Sequence, residues 1–331
     1  MNRTHLLSII TALSPAVSRI TNGHVLFADG RVSAVSEQFA ISLPFDAGIS
    51  CCPDYGTLKA ALSGLTGESV TLTQAAESLV LNSKGRRTVR CLPVETFPEL
   101  PDDSGADSIT VSGDSFAEAI AFVVRAAHDD VSRPHLNGVH LNGNDVVATD
   151  GTRLRVQRIA ESLPTCTIPT AAAHALCRLM NGPVNVTLGR RFTVYNDTFR
   201  FSTSLIAGEF PPHYAKVIPD GTGRKLVIDI EETVRAVNAV AAFADSKTKR
   251  IFLALDDENV MLSCDAAEEP LNVVSWEGGG HKVLVNGALL ADTLTAFGKG
   301  QVMMTLQNDP AAPLLFRDSD GRTGVLMPMR Y

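Results

Sequence analysis

The chain has 331 residues, of which 45% are hydrophobic and 20% charged, and carries a formal net charge of −7. This is length enough for two or three domains with buried cores, and the composition excludes a disordered chain. The acidic balance argues against a conventional DNA-wrapping protein, and no apolar run reaches the length of a membrane span. The opening residues lack the pattern of a secretion signal, so a cytoplasmic protein is expected. Cys51, Cys52, Cys91, Cys166, Cys177 and Cys264 contain no Cys-x-x-Cys pair and are expected to be buried free thiols.

In chain order, helices are predicted at about Thr4–Leu13 and Asp54–Leu62, followed by strand-like runs such as Val25–Phe27 and Val70–Thr73. Ser108–Ser112 alternates as a strand, and Asp114-Ser115 starts a helix whose apolar face is Phe116, Ile120, Val123 and Val124. Strands at Gly138–Leu141, Asp145–Thr149 and Thr152–Gln157 follow, with Asn142-Gly143 and Asp150-Gly151 as turns. Cys166–Ile168 is a short strand stopped by Pro169, then a helix spans Thr170–Met180. Strands at Val184–Leu188, Arg191–Tyr195 and Thr198–Ser204 complete this stretch. The last third repeats the order. A strand at Lys225–Ile228, a helix at Glu231–Phe243 and strands at Arg250–Leu255, Val260–Cys264 and Leu271–Trp276 come first. Then come a strand at Lys282–Val285, a helix at Ala288–Phe297 and strands at Val302–Leu306, Pro313–Phe316 and Gly324–Met327.

One unit, a strand, a helix and several strands, is thus read six times, with little residue identity between copies. The units pair into three α+β domains, at 1–103, 104–220 and 221–331. Pro, Gly and Asp cluster at Pro101-Asp102-Asp103-Ser104-Gly105 and Pro219-Asp220-Gly221-Thr222-Gly223, which marks the boundaries.

Several segments carry a resemblance. They are Leu136-Asn137-Gly138-Val139, Ala148-Thr149-Asp150-Gly151-Thr152-Arg153-Leu154, Phe201 to Pro211 with its continuation to Pro219, Phe97-Pro98-Glu99-Leu100, and the C-terminal Val325-Leu326-Met327-Pro328-Met329-Arg330. In this order and spacing they resemble the bacterial DNA polymerase III beta subunit, the sliding clamp family. Thr152 stands where that family has histidine, one extra residue follows Pro211, and the first domain is shorter, without the usual opening strand.

The resemblance implies three similar clamp domains, each with two helices packed on antiparallel sheets. A head-to-tail homodimer would close them into a pseudo-sixfold ring around double-stranded DNA. It implies a processivity factor without catalysis or cofactor, which tethers DNA polymerase and a clamp loader through short linear peptides. The pocket for those peptides would be framed by Leu136, Thr149, Gly151, Thr152, Arg153, Leu154, Pro211, Pro212, Lys216, Val217, Val325, Leu326, Met327, Pro328, Met329 and Arg330. Arg19, Lys59, Arg125, Arg178, Arg235, Lys247, Lys249 and Lys299 would face DNA. Phe97 and Leu100 of one subunit would meet Ala242 and Phe243 of the next. A ring that slides needs only a few weak phosphate contacts, so the acidic balance is compatible with it.

Two other readings compete. His135, His140, Asp145 and Asp150 cluster in sequence, but no zinc-hydrolase spacing, nucleophile elbow or phosphate loop accompanies them, and Gly278-Gly279-Gly280 lies between two strands. The other is a binding module of clamp ancestry that does not encircle DNA.

Overall fold

The computed structural model describes residues 1–101, 107–128, 130, 132–256, 259–276 and 280–330. Asp102 to Gly105 of the expected first boundary, Gly278, Gly279 and Tyr331 lie outside the described residues. The chain folds as α+β, in two compact units: residues 1–117 with 168–205, and residues 118–167 with 206–331.

Helices α1 (Arg3–Ala12), α2 (Tyr55–Gly64), α3 (Gly113–Val123), α4 (Thr170–Cys177), α5 (Ile230–Ala241) and α6 (Gly287–Ala296) follow the apolar 3.6-residue pattern. Local chemistry sets four of their starts. Asn2, Asp54, Asp229 and Asn286 each accept a hydrogen bond from the backbone N–H three residues on, which satisfies a donor the helix itself leaves free. α4 is shorter than the expected Thr170–Met180, because after Cys177 the backbone tightens into turns bonded back to Ala175 and Leu176. The first element is α1, preceded by Asn2 in an isolated bridge to Ser69.

In the first unit, α1 packs against α2. A seven-stranded antiparallel sheet runs in the order Leu26–Ala28, Arg31–Val35, Phe39–Pro44, Arg200–Thr203, Phe192–Tyr195, Pro183–Leu188, Ser108–Ser112. A four-stranded sheet has the order Cys52–Pro53, Arg86–Leu92, Ser78–Asn82, Thr71–Ala75. The large sheet joins residues far apart in sequence, with Phe201 opposite Ile41. Cys51, Cys52, Cys91 and Cys166 are buried free thiols, and Cys177 and Cys264 are half-buried. Burial pushes the Cys51 and Cys166 thiols up to about 12, so these are packing groups and not nucleophiles at neutral pH.

In the second unit, α5 packs against α6. The two helices approach closely at Gly287, where an added Cβ would stand 3.0 Å from the Cβ of Ala241. One sheet of this unit has the order Val273–Trp276, Arg224–Asp229, Gln301–Leu306, Leu314–Arg317, Thr323–Leu326, Arg153–Pro169, Gly138–Thr149. The other has the order Ala267–Pro270, Val260–Cys264, Arg250–Leu255, His281–Asn286.

Asn142-Gly143 departs from its expected role as a turn between two strands. Gly138–Thr149 is one continuous strand, and Gly143 sits inside it at φ +58°. The Asn144 side chain donates to the carbonyls of Ile159 and Ala160 on the facing strand, at 3.1 and 2.9 Å. The glycine therefore bends a continuous ladder rather than ending it.

Candidate functional site

The site begins with a loop that its own residues close. At Asp150-Gly151 the chain reverses, and Gly151 takes φ +89°, a conformation that favours glycine. One Asp150 carboxylate oxygen accepts from the Thr152 N–H, the Thr152 hydroxyl and the Arg153 N–H, at 2.8, 2.6 and 3.0 Å. Thr149 closes the loop from the other side, its hydroxyl donating to the Arg153 carbonyl at 2.6 Å and accepting from the Gly151 N–H at 3.1 Å. The loop is therefore set before any tertiary contact is counted.

Strand pairing then brings the chain's end to this loop. Arg153 to Val156 run antiparallel to Thr323–Leu326, with Leu154 opposite Val325. The pairing continues past the strand: the Met327 N–H donates to the Thr152 carbonyl at 2.8 Å, and the Met329 N–H to the Leu284 carbonyl at 2.7 Å. The C-terminal residues are tied down, as expected of an apolar tail.

Leu136, Leu154, Val325, Phe210 and Tyr214 belong to one buried apolar cluster with Val147, Val156 and Leu315. Above part of that cluster opens a pocket of about 290 Å³. It is lined by Leu136, Thr149, Gly151, Thr152, Arg153, Leu154, Pro211, His213, Tyr214, Val217, Val325 and Met327. Val217 and Met327 are 50% and 40% exposed, so large apolar side chains stand in water at its mouth. An apolar floor with partly exposed apolar walls suits an apolar side chain presented by another molecule.

Ten of the sixteen residues expected to frame a peptide pocket therefore line this one. Leu326 is fully buried, and strand alternation turns it to the opposite face from Val325. Pro212, Lys216 and Arg330 are exposed, Pro328 and Met329 half-buried, and none of the five lines the pocket. His213 and Tyr214 line it without having been expected to. The signal in the sequence was the extra residue after Pro211, which puts Pro212-His213 ahead of the short turn Tyr214–Val217.

Beneath the loop lies a charge cluster that sequence reasoning missed. Asp292 on α6 accepts from three arginines: Arg125 at 2.7 Å, Arg153 at 2.5 Å and Arg155 at 2.6 Å. Arg155 is wholly buried, and also donates to the carbonyls of Phe122 and Asp292. Burial pulls its guanidinium down to about 10 while Asp292 opposes the shift, so it is still charged at neutral pH. Arg153 reaches Asp150 and the Arg125 carbonyl as well, at 2.9 and 2.8 Å, which fixes the pocket wall it forms.

Of the hydrolase reading, His140, Asp145 and the loop carboxylate Asp150 are engaged elsewhere. The His140 ring stacks on Phe210 with centroids 4.4 Å apart and lies 3.0 Å from the Thr167 hydroxyl. Asp145 accepts from Arg158 at 2.8 Å and from the Tyr214 hydroxyl at 2.9 Å. No group of three or more metal-ligating side chains comes together among the described residues.

Of the eight basic residues expected to face DNA, Arg125 joins the Asp292 cluster, Arg235 pairs with Glu269 at 3.3 Å and Lys299 with Glu231 at 3.5 Å. Lys59 lies over the Tyr55 ring at 5.7 Å. Arg19, Arg178 and Lys247 are exposed, and Lys249 is half-buried at φ +50°. Of the four residues expected at a subunit contact, Phe97 is half-buried, while Leu100, Ala242 and Phe243 are exposed, Phe243 to 66%. No helix among the described residues is long and apolar enough to cross a membrane.

Residues 110–212 match the family model of the DNA polymerase III beta subunit, central domain. The chain is 28% identical over 295 residues to the beta sliding clamp of Treponema pallidum (strain Nichols), covering 81% of this chain and 79% of that one. Among solved structures, the DNA polymerase beta subunit of Streptococcus pyogenes superposes with a TM-score of 0.91 at 18% identity, covering 100% of this chain and 99% of that one. A DNA polymerase III beta subunit from Pseudomonas aeruginosa, solved bound to griselimycin, gives a TM-score of 0.89 at 22% identity, covering 100% and 98%. The central-domain match, the relatives and the common fold agree: residues 110–212 match the central domain of the DNA polymerase III beta subunit, and the chain is similar along most of its length to bacterial beta sliding clamps and shares their fold.

Proposed function

We propose that this chain is a DNA polymerase processivity factor: a non-catalytic sliding clamp that encircles duplex DNA and holds polymerase and a clamp loader through the pocket beside Leu154 and Val325. The observation that carries this reading is the pocket itself, an apolar hollow made where the chain's last strand pairs with the strand after the Asp150-Gly151 loop. A partner would insert a short extended peptide with leucine or phenylalanine anchors, a mode in which few side chains supply most of the affinity.

How the strands join supports the ring. Taken as three domains, 1–103, 104–220 and 221–331, the chain contains two like junctions: Phe39–Pro44 with Arg200–Thr203, and Arg153 to Val156 with Thr323–Leu326. In each, the last strand of one domain pairs with a strand of the domain before it. A third junction of this kind needs a second copy. The last strand of the first domain, Arg86–Leu92, has no second strand against Arg86 to Val89 among the described residues. Ala267–Pro270 ends its sheet in the third domain. The first edge carries exposed Arg86, Arg87 and Arg90, and the second carries Glu268 and Glu269. Opposite charges on two open edges favour their pairing head to tail between subunits and disfavour each edge pairing with itself. Exposed Phe243, beside a hollow of about 270 Å³, would receive Phe97 and Leu100 of the neighbouring subunit there.

For the bore, Arg19, Arg178, Lys247 and Lys249 supply cations, while Arg125, Arg235 and Lys299 are partly neutralised by carboxylates. Weak, sparse phosphate contacts are what a sliding ring requires. The test is light scattering across a dilution series, then retention on nicked circular DNA after loading, before and after the circle is cut. A dimer of twice 35.3 kDa that is lost on linearisation supports the ring. A monomer that still binds partner peptides supports the clamp-derived binding module instead.

A further inference from the structure

Three guanidinium groups meet two carboxylates behind the pocket wall: Arg125, Arg153 and Arg155 with Asp292 and Asp150. The cluster therefore carries one cation in excess, and its cations are not equally free to leave. Arg155 is wholly buried, and the Arg153 side chain is only 13% exposed. The Arg125 side chain is 58% exposed and reaches a single carboxylate, through Nη2 at 2.7 Å. An exposed ion pair of this kind contributes little, so Arg125 is the member that an anion from outside can draw off.

The two oxygens of Asp292 divide the arginines. Oδ1 holds Arg125, while Oδ2 holds both Arg153 and Arg155. Arg153 also donates to the backbone carbonyl of Arg125, a bond that does not depend on where the Arg125 guanidinium points. When that guanidinium turns away, Arg153 loses a like charge competing for the same carboxylate, keeps its backbone acceptor and finds Oδ1 free. Arg153 lines the peptide pocket, so its wall is held more firmly in that state. A wall fixed beforehand has less freedom to lose when a ligand packs on it. Of the eight basic residues expected to face DNA, Arg125 alone shares an acceptor with a pocket residue among the described residues.

We infer that Asp292 couples the bore to the pocket: a DNA phosphate that takes the Arg125 guanidinium leaves Asp292 to Arg153 and Arg155, and so tightens the hold of the pocket on a partner. Arg125 and Asp292 are positioning residues in this device, since neither lines the pocket. By linkage, a bound peptide favours phosphate at Arg125 to the same degree. The inference rests on the clamp reading above, in both its pocket and its bore.

The experiment follows fluorescein-labelled Ala-Leu-Ala-Leu-Phe amide by anisotropy, titrated with the full chain at low ionic strength. Each titration is run alone and with a short blunt-ended DNA duplex, whose binding is read through a label of its own. Potassium chloride at the ionic strength of the duplex corrects for screening. The duplex should tighten peptide binding to the unaltered chain about fivefold. Arg125→Gln should bind the peptide about fivefold tighter without duplex and gain nothing when duplex is added. Arg125→Lys should keep part of the gain. A purely structural role for Arg125 would weaken the peptide or leave it unmoved. If peptide and duplex both bind but neither changes the affinity of the other, or if Arg125→Gln keeps the gain, the coupling is overturned and the clamp reading stands. If the peptide does not bind the unaltered chain, the pocket reading falls; if the duplex does not, the bore reading falls. Either takes the coupling with it.

Discussion

Asp292 is the residue on which most depends for its size. One carboxylate holds three guanidinium groups, one of them wholly buried with its Nε unpartnered among the described residues. Removing one member of such a buried set leaves the others uncompensated, at a cost of about 3–5 kcal/mol. Asp292→Ala should therefore lower the unfolding free energy by that amount, read from the denaturation curve, and loosen the Arg153 wall. An unchanged denaturation curve would mean that Arg155 finds another acceptor. Two histidines give the protein a pH dependence of stability. Burial lowers His140, and burial with Arg224 lowers His281, from an ordinary value of 6.5. The unfolded chain thus takes up protons at a pH where the folded chain resists them. This contribution is fully present above pH 6.5 and is lost as pH falls below it through the folded values. Melting temperature should drop between about pH 7 and pH 5, and less steeply in a His140→Gln, His281→Gln double variant.

At the scale of elements, the last strand and its tail have separable roles. Thr323–Leu326 is laddered on both sides, by Leu314–Arg317 and by Arg153 to Val156, and so belongs to the sheet's structure. Beyond it, Met327 to Arg330 hold on by the Met327 and Met329 backbone bonds, each contributing about 1 kcal/mol. Deleting residues 327–331 should leave the circular dichroism spectrum unchanged and lower the melting temperature by a few degrees. It should cut probe-peptide affinity at least tenfold, because Met327 leaves the pocket wall. A truncated chain that binds as before would place the peptide elsewhere. The same comparison explains the reach of strand reading. The resemblance offered both Val325 and Leu326 as pocket walls, but pairing with Leu154 commits Val325 to the pocket side and sends Leu326 to the other face. Asn142-Gly143 read as a turn because that pair is the strongest local hairpin signal, yet the facing strand holds Asn144 and keeps the ladder running.

For the whole molecule, edge charge makes the proposed head-to-tail assembly testable without touching an apolar residue. A Glu268→Lys, Glu269→Lys variant should be monomeric by light scattering at concentrations where the unaltered chain is dimeric. Adding Arg86→Glu and Arg87→Glu to the same chain should restore the dimer. A variant that stays dimeric after the first pair of changes would place the subunit contact on other surfaces.

Ten of the pocket residues were legible through the resemblance of whole segments to a known family. The sequence by itself determined the α+β class, most helices and strands of the second and third expected domains and the Asp150-Gly151 loop. These are local matters: periodicity, Asx caps and turn chemistry act over a few residues, and the amino acids that carry them are visible in order. Only the tertiary structure decided that His213 and Tyr214 complete the pocket and that an arginine in an outwardly polar strand run, Arg155, is wholly buried. Its acceptor Asp292 lies 137 residues away in the chain. Pairing between such distant segments is set by which faces must leave water together and which charges must then be matched, and the order of residues does not state that.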